Sequence, residues 1–129
     1  MHGSTARRFI GAALALAFLG AAEVRAAPES VSFASLHRDG AMLKGWLEKP
    51  EGTGPFPAIA LFHGCSGPLT AKGRLAGREA SWMKRFVAAG YVVLLVDSFN
   101  PRGYRSICTM RNRPITAEDD RPWDAYAAL

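Results

Sequence analysis

The chain has 129 residues, a net charge of +5 at neutral pH and a sequence pI of about 9.7, a balance that by itself points to nucleic acid or an anionic membrane surface. The distribution of that charge argues against nucleic acid: the first 27 residues hold three arginines against one glutamate, and the remainder has no Lys/Arg run interleaved with aromatics of the kind a nucleic-acid site uses. His2, His37 and His63 are scattered without ligand spacing, so no metal site is expected.

Residues 1 to 27 have the composition of a targeting segment. Arg7 and Arg8 form a positive start, and Phe9 to Ala22 is an uncharged run of small and apolar residues. That run is shorter than the roughly 20 residues that span a bilayer. Small residues follow at Val24-Arg25-Ala26, where cleavage fits best, or at Arg25-Ala26-Ala27. A signal peptide is therefore expected, with export to a periplasm or to the outside. The arginine pair hints at twin-arginine export, although the residues after it fit that pattern poorly. No cysteine sits at the cleavage region, so no lipid anchor is indicated and no stable membrane anchor is expected after cleavage.

Residues 28 to 129 then read as one α/β unit. Val31 to Leu36 and Met42 to Glu48 both alternate, with Arg38-Asp39-Gly40 between them. Asp-Gly between alternating runs is a strong hairpin signal and predicts an antiparallel edge pair. Pro50 to Pro57 is a loop. Pro57 to Phe62 is a charge-free apolar run, predicted as a central strand buried on both faces.

That strand stops at His63-Gly64-Cys65-Ser66-Gly67. Two glycines let the backbone turn sharply and approach a ligand closely, and strand ends are where open α/β sheets bind ligands. A loop of this kind can aim a free backbone N–H at a developing negative charge; a plain strand-to-helix turn is the alternative. From about Arg74 to Ala89, Ala76, Ala80, Met83, Phe86 and Val87 recur at helical spacing, with Arg78, Lys84 and Arg85 on the solvated side. Gly90 stands where a left-handed cap ends a helix. Tyr91 to Val96 is a second buried run, so strand, helix and strand form a βαβ unit, expected to be right-handed. Asp97 to Gly103 is another strand-end loop, in which Asp97 is read as an anchor. Thr116, the acidic residues after it and Pro122 signal a helix start, and Asp124 to Leu129 is helical in composition.

Cys65 and Cys108 both fall in loops at one sheet edge. An oxidising compartment permits a bridge between them, which spacing alone does not decide. Arg102, Arg105, Arg111 and Arg113 form a basic loop followed at once by Glu118, Asp119 and Asp120.

The hairpin, the His63-Gly64-Cys65-Ser66-Gly67 loop, Gly90-Tyr91-Val92-Val93-Leu94-Leu95-Val96-Asp97-Ser98-Phe99, Pro101-Arg102-Gly103 and Arg121 with Asp124-Ala125 together resemble α/β-hydrolases of the dienelactone hydrolase family. The resemblance runs from about Val31 to Leu129. It implies the first half of a doubly wound α/β-hydrolase sheet and hydrolysis of a small carboxylic ester or lactone through an acyl-enzyme, without a cofactor. The Cys65 N–H is then one oxyanion donor, with His63, Gly64 and Gly67 supporting it. It also implies a Ser or Cys nucleophile in a Gly-x-Ser/Cys-x-Gly elbow, followed by an acid and a His. No such elbow occurs around Cys65, Ser66, Ser81, Ser98 or Ser106. Nucleophile, acid and base are therefore expected beyond Leu129, and the 129 residues are expected to be inactive alone.

Three residues keep a choice of roles. Cys65 and His63 could form a thiolate–imidazole pair, against a disulfide or an inert small side chain. His63 is read as a brace rather than a titrating group. Arg102 could hold a substrate carboxylate, as the resemblance suggests, or form a surface salt bridge. A different class of function, a non-catalytic exported module holding an anionic ligand on the Arg102–Arg113 loop, is the alternative.

Overall fold

A computed structural model describes residues 27–129; the predicted signal peptide, all but its last residue Ala27, lies outside the described residues. Strands β1 (Glu29–Ala34), β2 (Met42–Glu48), β3 (Ala58–Phe62) and β4 (Val92–Asp97) form one mixed open sheet, with helices α1 (Gly77–Ala88) and α2 (Arg121–Ala128) and a single 3-10 turn at Asn100–Arg102. The order across the sheet is β1-β2-β4-β3. The hairpin pairs β1 with β2 antiparallel, β2 pairs with β4 antiparallel, and β3 pairs with β4 parallel. The expected open α/β sheet with an antiparallel edge hairpin and a following βαβ unit is therefore present.

The hairpin forms as its residues dictate. Asp39 Oδ1 accepts the Ala41 N–H at 3.1 Å, and Ser35 N–H bonds Ala41 O at 2.8 Å. The first strand starts and stops two residues before the expected span, because residues 35–41 all belong to the turn.

One placement departs from the expectation. The central, most buried strand is β4, whose Val93, Leu95 and Val96 are inaccessible to solvent while Val92 and Leu94 are half-buried. Among the described residues β3 lies at the edge, and Ile59 to Phe62 are only half-buried. The reason is pairing: β2 joins β4, not β3. Apolar content told that both runs belong inside a sheet but carried no information on their neighbours.

Helix α1 covers one face. Met83 and Val87 pack on Val93 and Leu95, with Trp46, Leu61, Leu75, Phe86 and Tyr91 around them. The helix begins at Gly77 rather than Arg74, since Leu75 bridges Leu69 and Arg74 O accepts Thr70 N–H at 2.8 Å. Its end is a Schellman motif. Gly90 has φ +90°, Gly90 N–H bonds Val87 O, Tyr91 N–H bonds Phe86 O, and the Phe86 and Tyr91 rings meet at 6.3 Å.

Thr116 opens a turn, not the helix itself. Asp120 Oδ2 accepts Thr116 N–H at 2.8 Å and Thr116 Oγ1 accepts Asp119 N–H at 3.0 Å. Helix α2 then starts at Arg121 with Pro122 in its first turn, where proline's missing N–H costs nothing.

Candidate active site

The parallel strands β3 and β4 end at the same sheet edge, and their two loops interlock there. His63 is 2% exposed. Its Nδ1–H donates to Gly64 O at 2.8 Å, and its Nε2 accepts the Ser98 N–H at 3.2 Å. Because Nε2 must offer a lone pair to an amide, the proton sits on Nδ1. Burial pulls the imidazole pKa below its ordinary 6.5, against the raising effect of Gly64 O. Asp97 Oδ1 lies 3.8 Å from Nε2, yet with Nε2 unprotonated the two form no ion pair. The Phe99 ring meets the imidazole edge-on at 4.4 Å.

These contacts orient one peptide plane. Gly64 O holds both the His63 Nδ1–H and the Gly67 N–H, the latter at 3.1 Å. In a trans peptide the N–H points opposite to the carbonyl, so pinning Gly64 O also aims the Cys65 N–H. Among the described residues that N–H donates to no carbonyl or side chain. Hydrogen bonds on the carbonyl also polarise the peptide and make its N–H a better donor.

The far side of the loop is closed by the 103–108 segment. Cys65 and Cys108 form a disulfide with Cα atoms 4.9 Å apart, and Cys65 O accepts Ile107 N–H at 2.9 Å. Gly67 has φ +75°, and a Cβ there would stand 2.3 Å from Arg105 O, so only glycine fits. Asp97 anchors the second loop: its Oδ1 accepts the N–H of Phe99 and of Asn100 at 3.0 Å each.

With Cys65 in a disulfide and both His63 nitrogens engaged, the thiolate–imidazole pair is ruled out. Ser98 Oγ is fully buried without a hydrogen-bond partner among the described residues, which removes it as an accessible nucleophile.

Arg102 is not held out toward a ligand: its ion pair with Asp124 is buried, while its ion pair with Asp39 lies at the surface. Its side chain is 8% exposed. Nη1 and Nη2 grip Asp124 bidentately at 2.9 Å each, Nε bonds Asp39 Oδ2 at 2.6 Å, and the remaining donors meet Ser98 O, Ser35 Oγ and Asp39 Oδ1. All five guanidinium hydrogens are committed to protein acceptors. Hydrogen bonding to Arg102 holds the Asp39 carboxyl far below its ordinary range. Burial works to raise Asp124, but Arg102 and Ser35 outweigh it and the net shift is downward.

Arg121 was visible in the sequence only as part of a motif. Its Nη2 donates to His63 O at 2.7 Å, and its guanidinium lies 5.4 Å from the Phe62 ring centre and 5.6 Å from that of Phe99. A cavity of about 160 Å³ between this arginine, Cys65, Phe99, Ile107 and Ile115 adjoins the loop. No periodicity could have announced these contacts, because the partner carbonyl is 58 residues away.

No protein-family model matches the sequence, and no curated protein matches it. Among solved structures the chain is similar to brefeldin A esterase, a bacterial homologue of human hormone sensitive lipase, with 24% identity and a TM-score of 0.47. The match covers 92% of this chain but 29% of that one. By its own strand pairing the chain is an open mixed α/β sheet whose two parallel strands end in one interlocked, disulfide-tied loop pair.

Proposed function

We propose that this chain furnishes the oxyanion-binding part of a carboxylic-ester or lactone hydrolase of the dienelactone hydrolase kind, and that the 129 residues alone do not turn over an ester. The observation that supports this reading is the Cys65 N–H, left without a protein acceptor among the described residues while its peptide carbonyl is pinned twice. In the complete protein a nucleophile supplied from outside these residues would attack the ester carbonyl and form a tetrahedral oxyanion. The Cys65 N–H would donate to that oxygen, and the amide after the nucleophile would complete the pair. One such donor is worth about 3–4 kcal/mol of transition-state stabilisation, and only once a nucleophile has created the oxyanion. His63 keeps the donor aimed and does not exchange protons with substrate. The substrate is a small ester or lactone, and the chemistry uses no cofactor. Export to an oxidising compartment belongs to the same reading, supported by the Cys65–Cys108 bridge because such bonds persist mainly there.

Two measurements test the proposal. The purified full chain should release no p-nitrophenol from p-nitrophenyl acetate above the buffer rate; turnover that disappears in His63→Ala would refute the inactivity. Coding sequence beyond Leu129 should contain a Gly-x-Ser/Cys-x-Gly elbow following a buried strand; its absence from the full gene would remove the hydrolase reading. The binding-module alternative keeps support from exposed Arg105, Arg111 and Arg113, but loses Arg102 to the Asp39–Asp124 network.

A further inference from the structure

We infer that Arg121 is a positioning residue for the His63–Gly67 loop, coupling the first turn of α2 to the direction of the Cys65 N–H. Its functional meaning, though not its geometry, rests on reading that amide as an oxyanion donor. Four observations converge on it.

Arg121 stands in the first turn of α2, where the helix dipole disfavours a cation, so a purely helical reason for an arginine is lacking. Unlike Arg102, it has no carboxylate within hydrogen-bond distance among the described residues; its short contact goes to a backbone carbonyl, His63 O, at 2.7 Å. A charged donor makes such a bond roughly twice as strong as a neutral one. The Phe62 and Phe99 rings flank the guanidinium at 5.4 and 5.6 Å, one from the end of β3 and one from the loop after β4. They restrict its plane as well as attract its charge.

The consequence falls on Gly64. The peptide before it has its carbonyl, His63 O, held by Arg121. The peptide after it has its carbonyl, Gly64 O, held by His63 Nδ1–H and Gly67 N–H. Glycine has the widest backbone freedom of any residue, and the torsions of Gly64 are set by the relative tilt of these two planes. Releasing His63 O frees the first plane to rotate, and the Cys65 N–H follows.

The test is backbone NMR relaxation on the ¹⁵N-labelled full chain. In Arg121→Gln, the amide order parameters of Gly64 and Cys65 should fall from about 0.85 to below about 0.6, while those of Val93 to Val96 in β4 stay unchanged. Arg121→Lys, which keeps the charge but loses the planar fork, should also mobilise the loop. In Arg121→Ala, millimolar guanidinium should restore the loop signals, and equal sodium chloride should not. Unchanged Gly64 and Cys65 in Arg121→Gln would overturn the inference. So would loss of order in β4 together with the loop, or unfolding of all three variants, since either assigns Arg121 a general structural role. These signals are independent of ester chemistry: a missing elbow in the full gene would leave them standing, and their failure would leave the oxyanion reading of Cys65 intact.

Discussion

His63 holds its proton on the nitrogen that faces a carbonyl and offers its other nitrogen to an amide. A second proton would have to displace the Ser98 N–H inside a site closed to water, which is why burial lowers the pKa. The unfolded chain takes that proton near pH 6.5, so as pH falls below this value the unfolded state binds more protons than the folded one and stability declines. The decline continues until the lower folded-state pKa is passed. His63→Gln, which keeps a polar side chain but cannot titrate, should lose this part of the slope. Urea midpoints at steps from pH 8 to pH 5 would check it: the wild-type midpoint should drop and that of the variant should stay nearly level. At pH 8 the variant should be destabilised by about 1–3 kcal/mol, the cost of disturbing buried hydrogen bonds.

Between elements, the strongest tie is the Arg102 fork. It joins the β1–β2 turn through Asp39 and through Ser35, the first residue after β1, the exit of β4 through Ser98 O, and α2 through Asp124. Asp124 is fully buried, so Arg102→Met would strand a carboxylate without its cationic partner, leaving the Ser35 hydroxyl donating to it at 2.6 Å. Such a loss costs about 3–5 kcal/mol, read as a shift in the urea midpoint at pH 7, and the double variant Arg102→Met with Asp124→Leu should recover a large part of it. The acid side follows from the same contacts. Asp39 and Asp124 both have folded-state pKa values below the ordinary 3.8. Their stabilisation is therefore complete above that value and is lost as pH falls below it toward the folded-state values. In Arg102→Met the acid unfolding seen by circular dichroism should be less steep in this range.

For the molecule as a whole, the Cys65–Cys108 bridge closes a separation of 43 residues that includes α1 and β4. The chain-entropy relation assigns a loop of that length about 4 kcal/mol of stabilisation. Cys108→Ser, or reduction of the wild type, should lower the thermal midpoint accordingly while leaving the β4 core in place. A calorimetric comparison of oxidised and reduced protein checks it, and equal midpoints would show that the interlocked loops hold without the covalent link. Because the same bridge backs the loop bearing the Cys65 N–H, the reduced form should also show a changed Cys65 amide environment.

The hairpin, the two apolar strands and the α1 stop at Gly90 were legible in the residues because each depends on neighbours a few positions away. Asp-Gly makes its turn locally, apolar spacing selects helix or strand, and only glycine readily takes the positive φ after α1. The candidate loop was legible for the same reason, through its bracketing glycines. Tertiary structure alone decided that β4 is the central strand, that Cys65 meets Cys108, that Arg102 serves Asp39 and Asp124, and that Arg121 reaches His63 O. Those pairings span 22 to 63 positions, and a guanidinium or a sheet edge has many chemically equivalent partners until the packed core brings one of them within reach.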